Sequence, residues 1–366
     1  MTAAGLRAWR LREPESQVPE IVKANSEVTP STLLSCLRPY HTPNWKRACL
    51  ELAITAVPLV LLWALAWLAV EHGHWWGVLL TLPAAAFLVR LFMVQHDCGH
   101  GAFFPHKAMN DWAGRVIGVF TLTPYDHWRR EHARHHATSG DLDRRGTGDV
   151  EMLTVAEYLA LGPLRRLGYR LFRHPLVMFG LGPAYVFLLR HRLPVGEMHE
   201  GWRPWLSPMA TNLAIGAAAV GLILLGGVRA FLLIQLPISL IAGSIGVWLF
   251  YIQHQFEGVQ WVRSPRWTLA GAALHGSSHY HLPGPAGWFT GNIGVHHVHH
   301  LSSRIPFYRL RRVLRDHPEL DAGRLSLAQS LRGVSLTLWD EAGQRLISFG
   351  ELRRQGRRTP AALSPL

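Results

Sequence analysis

The sequence predicts an all-α integral membrane protein, with four transmembrane helices arranged as two hairpins beneath a cytoplasmic helical cap. Three observations carry that expectation. Hydrophobic residues make up 49% of the chain, mean hydropathy is positive at +0.10, and there are 15 Trp. The apolar residues are gathered into runs of membrane-spanning length. The 22 histidines are grouped, and the groups follow the ends of those runs.

Taken in order, residues 1–47 are polar, Arg-rich and broken by prolines, with no signal peptide, and read as a cytoplasmic lead-in with one amphipathic helix around Pro30–Leu37. The run 52–70 is long enough to cross about 30 Å of hydrocarbon at about 1.5 Å per residue, and Pro58 inside it is compatible with a kinked span. Trp75 and Trp76 mark a turn at the membrane boundary. The run 77–94 returns and delivers His96 and His100, with Arg90 placed to snorkel towards the headgroups. Residues 113–123 are too few to span and read as interfacial or re-entrant. Residues 176–189 are marginal, being interrupted by Gly180, Gly182 and Pro183. A second hairpin follows, 209–225 out and 230–252 back, turning at 226–229 and ending at His254. The membrane domain is therefore expected to occupy 48–352, with a mobile tail over 353–366.

Charge gives the orientation. All of the 37 Lys and Arg except Arg90 and Arg229 lie in segments 1–48, 96–207 and 254–366, so both termini and all the histidine clusters are expected on the cytoplasmic side. The formal charge of +13 flanks apolar runs and forms no aromatic-interleaved basic face, which favours a membrane surface and excludes nucleic acid. Cys36, Cys49 and Cys98 have no C-x-x-C spacing, so neither a disulfide framework nor a thiolate zinc site is indicated.

The chemistry lies in the histidines. H-x-x-H-H occurs at His132, His135 and His136, and again at His296, His299 and His300, with an H-x-x-x-H pair at His96 and His100. Random placement would give about 0.08 matches to H-x-x-H-H in a chain of this composition. On a helix, positions i, i+3 and i+4 share a face, so each box is expected to converge on a metal, while His297 points about a quarter-turn away. Eight nitrogens are too many for one ion and suit two. Imidazole takes zinc, copper, iron or nickel; an O₂-activating iron pair fits a thiolate-free set, zinc lacks redox chemistry, and copper fits the same donors. His254, where the last run emerges, is a ninth candidate. Asp97, Asp141, Asp143, Asp149 and Glu257 lie where a carboxylate would hold the far nitrogen of a ligating histidine, and Asn292 precedes the third box. His279 and His281 are two apart, match no box and are read as non-ligands.

These residues resemble a known family. His96-Asp-Cys-Gly-His100, His132-Ala-Arg-His-His136 and His296-His-Val-His-His300 look like the three histidine boxes of membrane fatty acid desaturases. Thr121-Leu-Thr-Pro-Tyr-Asp-His-Trp-Arg129, the stretch 137–149, Tyr251-Ile-Gln-His-Gln-Phe-Glu257 and 288–301 are similar to the bacterial acyl-lipid, delta-12-like branch, over about 94–310. The resemblance implies two irons bound by the boxes, completed by one more histidine, His254. It also implies O₂ as co-substrate and an acyl chain entering a tunnel near the metals under a cytoplasmic cap, in a bacterial inner membrane. His279 and His281 stand where aromatic residues are common, and Glu151-Met152 departs from the family pattern; both bear on the substrate channel. No His-Pro-Gly-Gly motif of a fused cytochrome b5 domain is present, so electrons are expected from a separate donor such as ferredoxin or a cytochrome b5-like protein with its reductase. The alternatives are a hydroxylase of the same superfamily and a membrane metal- or haem-binding protein without turnover.

Overall fold

A computed structural model describes residues 30–358 except Thr147 and Ala322. Most of the expected lead-in (1–29) and the end of the expected tail (359–366) lie outside the described residues. Pro30–Leu37 is helical, and Leu37 is buried. Residues 353–358 are the last turns of a helix, Phe349–Arg358.

The first long helix, α1 (Trp45–Glu71), starts seven residues before the apolar run because Asn44 caps it, its Oδ1 accepting the Arg47 N–H at 2.9 Å. The chain passes through a 3₁₀ segment, Trp75–Leu80, into α2 (Thr81–Gly99). Within their most apolar windows, 56% of residues 75–99 are buried against 22% for α1, so α2 is the central helix and α1 faces outward.

Arg90 does not reach the headgroups. It is 1% exposed, pairs with the equally buried Glu51 of α1, donates to the Trp288 carbonyl, and lies 3.8 Å over the Trp288 ring. A cation inside an apolar bundle costs several kcal/mol unless paired, and Glu51 supplies that partner nearer than any lipid phosphate.

Helix α3 (Lys107–Phe120) is too short to span and exposes Trp112, Val116 and Phe120 in one row at helical spacing. Helix α4 (Tyr125–Thr138) follows. Pro163–Phe172 exposes Leu164, Leu167 and Leu171 among its arginines. The chain then bends by 62° into 177–192, where Phe187 packs on Gly243, close enough that a Cβ there would sit 2.9 Å from its ring. Together this bent pair is a fourth stretch long and apolar enough for a broken span or a re-entrant loop.

The third long helical stretch covers Arg203–His254, 52 residues, or about 78 Å if straight. It is not straight. Near its start the Ser207 hydroxyl accepts the Asp126 N–H at 3.2 Å, and at its end His254 Nε2 lies 3.1 Å from His135 Nε2; Asp126 and His135 share α4. The two ends therefore meet one short helix, and the stretch is two arms: α5 (Arg203–Ala230) holds the first arm and, past a reversal, the start of the second, which runs on through 231–235 into α6 (Leu236–His254). The reversal is at Gly227, whose φ of 76° and ψ of 159° are open to glycine. Gly226 beside it is pressed on Trp67, where a Cβ would stand 2.7 Å from the indole nitrogen. The turn falls where the sequence places it.

Two small sheets, outside the all-α expectation, tie the polar segments together. Leu153–Thr154 pairs in parallel with Leu338–Asp340, which pairs antiparallel with Arg345–Ile347. His279–Tyr280 pairs in parallel with Arg324–Leu325. Their strands are two or three residues long, too short to register as a period in the sequence.

Candidate metal centre

Four helix ends supply the histidines. Helix α2 carries His96 in its last turn with His100 as its cap; α4 carries His132, His135 and His136; α6 ends on His254; and the short, wholly buried α7 (His296–Leu301) carries the third box. All nine candidates fall into two groups. One contains His96, His100, His132, His136 and His299, the other His135, His254, His296 and His300, and within each the ligand atoms lie within 4.8 Å of one another.

This partition corrects one expectation. The histidines of one box do not converge on one point: each H-x-x-H-H box is divided, its i and i+4 members entering one group and its i+3 member the other. At about 100° per residue, i+4 lies about 40° to one side of i and i+3 about 60° to the other. The i, i+4 pairs close tightly, His132 to His136 and His296 to His300 both at 3.1 Å between Nε2 atoms. The groups abut where the His136 and His300 rings stack at 4.2 Å.

The donor set fits metal ions. His132 Nε2 lies 3.0 Å from the Nε2 of His96 and of His100, and 3.1 Å from that of His136. His254 Nε2 lies 3.0 Å from His296 and 3.1 Å from His135. A neutral imidazole has one N–H, so one proton cannot satisfy three such contacts, and lone pairs are left facing one another. Protonation gives no relief, because burial, and then the neighbouring imidazoles, hold His100, His132, His136, His296, His299 and His300 well below the ordinary histidine range. A cation at each centre resolves the conflict. Metal–nitrogen bonds of about 2.1 Å at right angles would set neighbouring donors about 3.0 Å apart.

A cavity of about 670 Å³ runs below the groups between α2, α6 and residues 177–191. Leu88, Phe92, Met178 and Val247 line it, and His96, His132 and His296 reach its wall. The volume is that of a single small-ligand site, and its lining suits a hydrocarbon.

Residues 73–329 match the family model described as fatty acid desaturase. The chain is 44% identical to a fatty acid desaturase of Bacillus subtilis over 327 residues, 89% of this chain and 91% of that one. This chain belongs to the fatty acid desaturase family. It is an oxidoreductase and a membrane protein. More distant relatives from Synechocystis include an sn-1 oleoyl-lipid 12-desaturase, 26% identical over 68% of this chain and 70% of its own, and a ferredoxin-linked sn-1 acyl-lipid omega-3 desaturase, 29% identical over 61% and 62%.

Around the histidines of this desaturase, three Nδ1 atoms have protein partners. Asp97 Oδ1 faces His96 Nδ1 at 3.2 Å while its Oδ2 accepts the Phe307 N–H at 2.6 Å. Asp149 bonds His135 Nδ1. His254 Nδ1 faces the Gly276 carbonyl and the Ser139 hydroxyl, each at 3.4 Å. Each partner favours the tautomer whose Nε2 lone pair points inward. The other polar candidates lie elsewhere. Glu257 is exposed in a turn and bonds none of the histidines. Asn292 bonds none either; it holds a left-handed backbone (φ 56°) before α7. Asp141 pairs with Arg144 and Ser264, and Asp143 with Arg263. His297 turns away and meets the Leu320 carbonyl at 2.7 Å; His279 pairs with Asp321, and His281 is exposed.

Sequence reasoning missed what anchors the second box. Glu197, 1% exposed, binds Arg130 at 2.7 Å and also Arg134, and faces His127 at 3.3 Å. The available signal was the spacing Arg130, Arg134 beside His127 on one helical face, which asks for an anion.

Proposed function

We propose that the chain is a di-iron acyl-lipid desaturase of a bacterial cytoplasmic membrane. Residues 48–352 form one membrane domain of four spans, 52–70, 77–94, 209–225 and 230–252, with the histidine groups and both termini on the cytoplasmic side. The observation that carries this reading is the meeting of nine imidazoles in adjacent groups of five and four, with a member of each group at the wall of an apolar cavity. The family, and the distribution of Lys and Arg around the apolar runs, support the membrane placement.

The ligands are His96, His100, His132, His136 and His299 for one iron, and His135, His254, His296 and His300 for the other. Two irons would supply O₂ activation for the overall conversion of –CH₂–CH₂– with O₂, two electrons and two protons into –CH=CH– and two waters. The protein's own part is positional. Asp97, Asp149 and the Gly276 carbonyl fix ring orientation. Phe92, Trp128, Leu249 and Phe250 line the cavity, exclude water, and hold one stretch of hydrocarbon beside His96 and His296. Electrons come from a separate carrier; the ferredoxin-linked relative and this chain's formal charge of +13 favour an acidic one.

The test is lipid profiling of a host of known composition expressing the chain with a ferredoxin and its reductase. New monounsaturated acyl chains in the lipid fraction are expected. An unchanged profile, or hydroxylated acyl products, would overturn the reading.

A further inference from the structure

Away from the histidines and the adjoining loop 146–151, most polar side chains lining the cavity are spent inside the protein. Thr121 bonds Gln95 at 2.5 Å, and Gln253 bonds the Ile293 carbonyl at 3.1 Å. One corner differs. There Glu131, Arg190 and His191 meet. Arg190 donates to Glu131 Oε1 at 3.1 Å, and His191, 8% exposed, has a buried Nδ1 without any partner. The ring also faces the carbonyl of Leu122, which accepts from Arg192 as well. Leu122 itself is held at φ 55°, a strained backbone state for a leucine and one that concentrates at binding sites. The corner is thus a strained polar patch on an otherwise oily wall, with the Arg192 guanidinium behind it.

We propose that this corner holds the ester end of a membrane glycerolipid while its acyl chain lies along the cavity. The Arg190 guanidinium has N–H groups left after Glu131 to donate to an ester carbonyl, and His191 Nδ1 accepts from a headgroup hydroxyl. Glu131 cancels the charge of Arg190, and Arg192, bonded to the Leu122 carbonyl and Asn212, leaves one positive charge behind the corner, which suits a single phosphodiester better than a polyanionic thioester carrier. The approach is from the bilayer: Phe120, Leu181 and Tyr185 line the cavity and are also more than half exposed on the lipid-facing side. The inference rests on the desaturase reading and adds to it the residues that take the polar end.

The test uses the full-length protein in dioleoylphosphatidylcholine nanodiscs, with dipalmitoylphosphatidylglycerol as probe and palmitoyl-CoA as the rival donor. His191→Phe and Arg190→Gln should each raise KM for the lipid tenfold or more, a larger effect than on kcat, at wild-type iron content. His191→Gln, which keeps an acceptor, should recover most of the loss. Unchanged KM in both variants, or a wild type that prefers palmitoyl-CoA, overturns this site and leaves the desaturase reading standing. A wild type that desaturates neither probe nor the dioleoyl matrix lipid overturns that reading and the site with it.

Discussion

Asp149 bonds the Nδ1 of His135, fourteen residues before it, and so turns His135 Nε2 towards His254 at 3.1 Å. The bond links the loop after α4 to the group of four histidines and fixes which nitrogen is free. Asp149→Asn keeps the shape but weakens the acceptor. It should cut metal affinity at that group by roughly 10–100-fold, read as lost iron per chain on dilution into a chelator. His135→Ala should abolish desaturation while the protein still inserts. Full activity in that variant would contradict the assignment.

Asp97 plays the matching part for the group of five, with a second tie to the Phe307 N–H that starts helix Phe307–Asp316. Asp97→Asn should weaken metal at that group by a similar factor. Asp97→Ala should also lower thermal stability, since it leaves a buried N–H unpaired at about 1–3 kcal/mol. Equal effects of the two variants on melting would contradict the tie to Phe307.

Arg90 and Glu51 are an ion pair inside the bundle, and Arg90 also holds the carbonyl of Trp288, ahead of the third box. Arg90→Met leaves Glu51 with only the half-exposed Arg47, and should cost about 3–5 kcal/mol, measured as a fall in melting temperature in detergent. Adding Glu51→Gln should restore part of that loss. Additive losses would show that the pair is not coupled.

Glu197 is held down to about 2 from an ordinary 4.5, first by its hydrogen bond from Arg130 and then by the charges of Arg130 and Arg134. A carboxylate whose folded pKa is depressed stabilises above its unfolded value and loses that contribution as pH falls through the folded one, here between about 4.5 and about 2. The contribution is on the order of 2–3 kcal/mol. Glu197→Gln should therefore melt lower than wild type at pH 7, with the gap closing as pH falls through that window. A gap independent of pH would contradict the ionic role.

The histidine boxes were legible because a helix writes local geometry into spacing. Their division into groups was not, because it depends on which neighbours lie on either side of α4 and α7, and those arrive from residues between 32 and 163 positions away. The hairpin turn at Gly226 and Gly227 could be read as two glycines between apolar runs. Arg90 misled, since its partner Glu51 lies 39 residues earlier on another helix and one sequence shows no pairing between them. The cavity was invisible for a similar reason: residues 177–191, too short and broken to read as a span, wedge against α6 and form one of its walls.

His317→Ala, at a histidine bonded only to the exposed Glu319, should leave activity unchanged and serves as the control for the nine proposed ligand positions. Loss of activity there would mean that histidine substitution as such disturbs the protein.

The most direct measurement is iron per chain in the purified protein, by inductively coupled plasma mass spectrometry, for the wild type and for His254→Ala. Two irons per wild-type chain are predicted, falling towards one in the variant because His254 serves only the group of four. A single iron in the wild type, or zinc or copper in its place, would contradict the account.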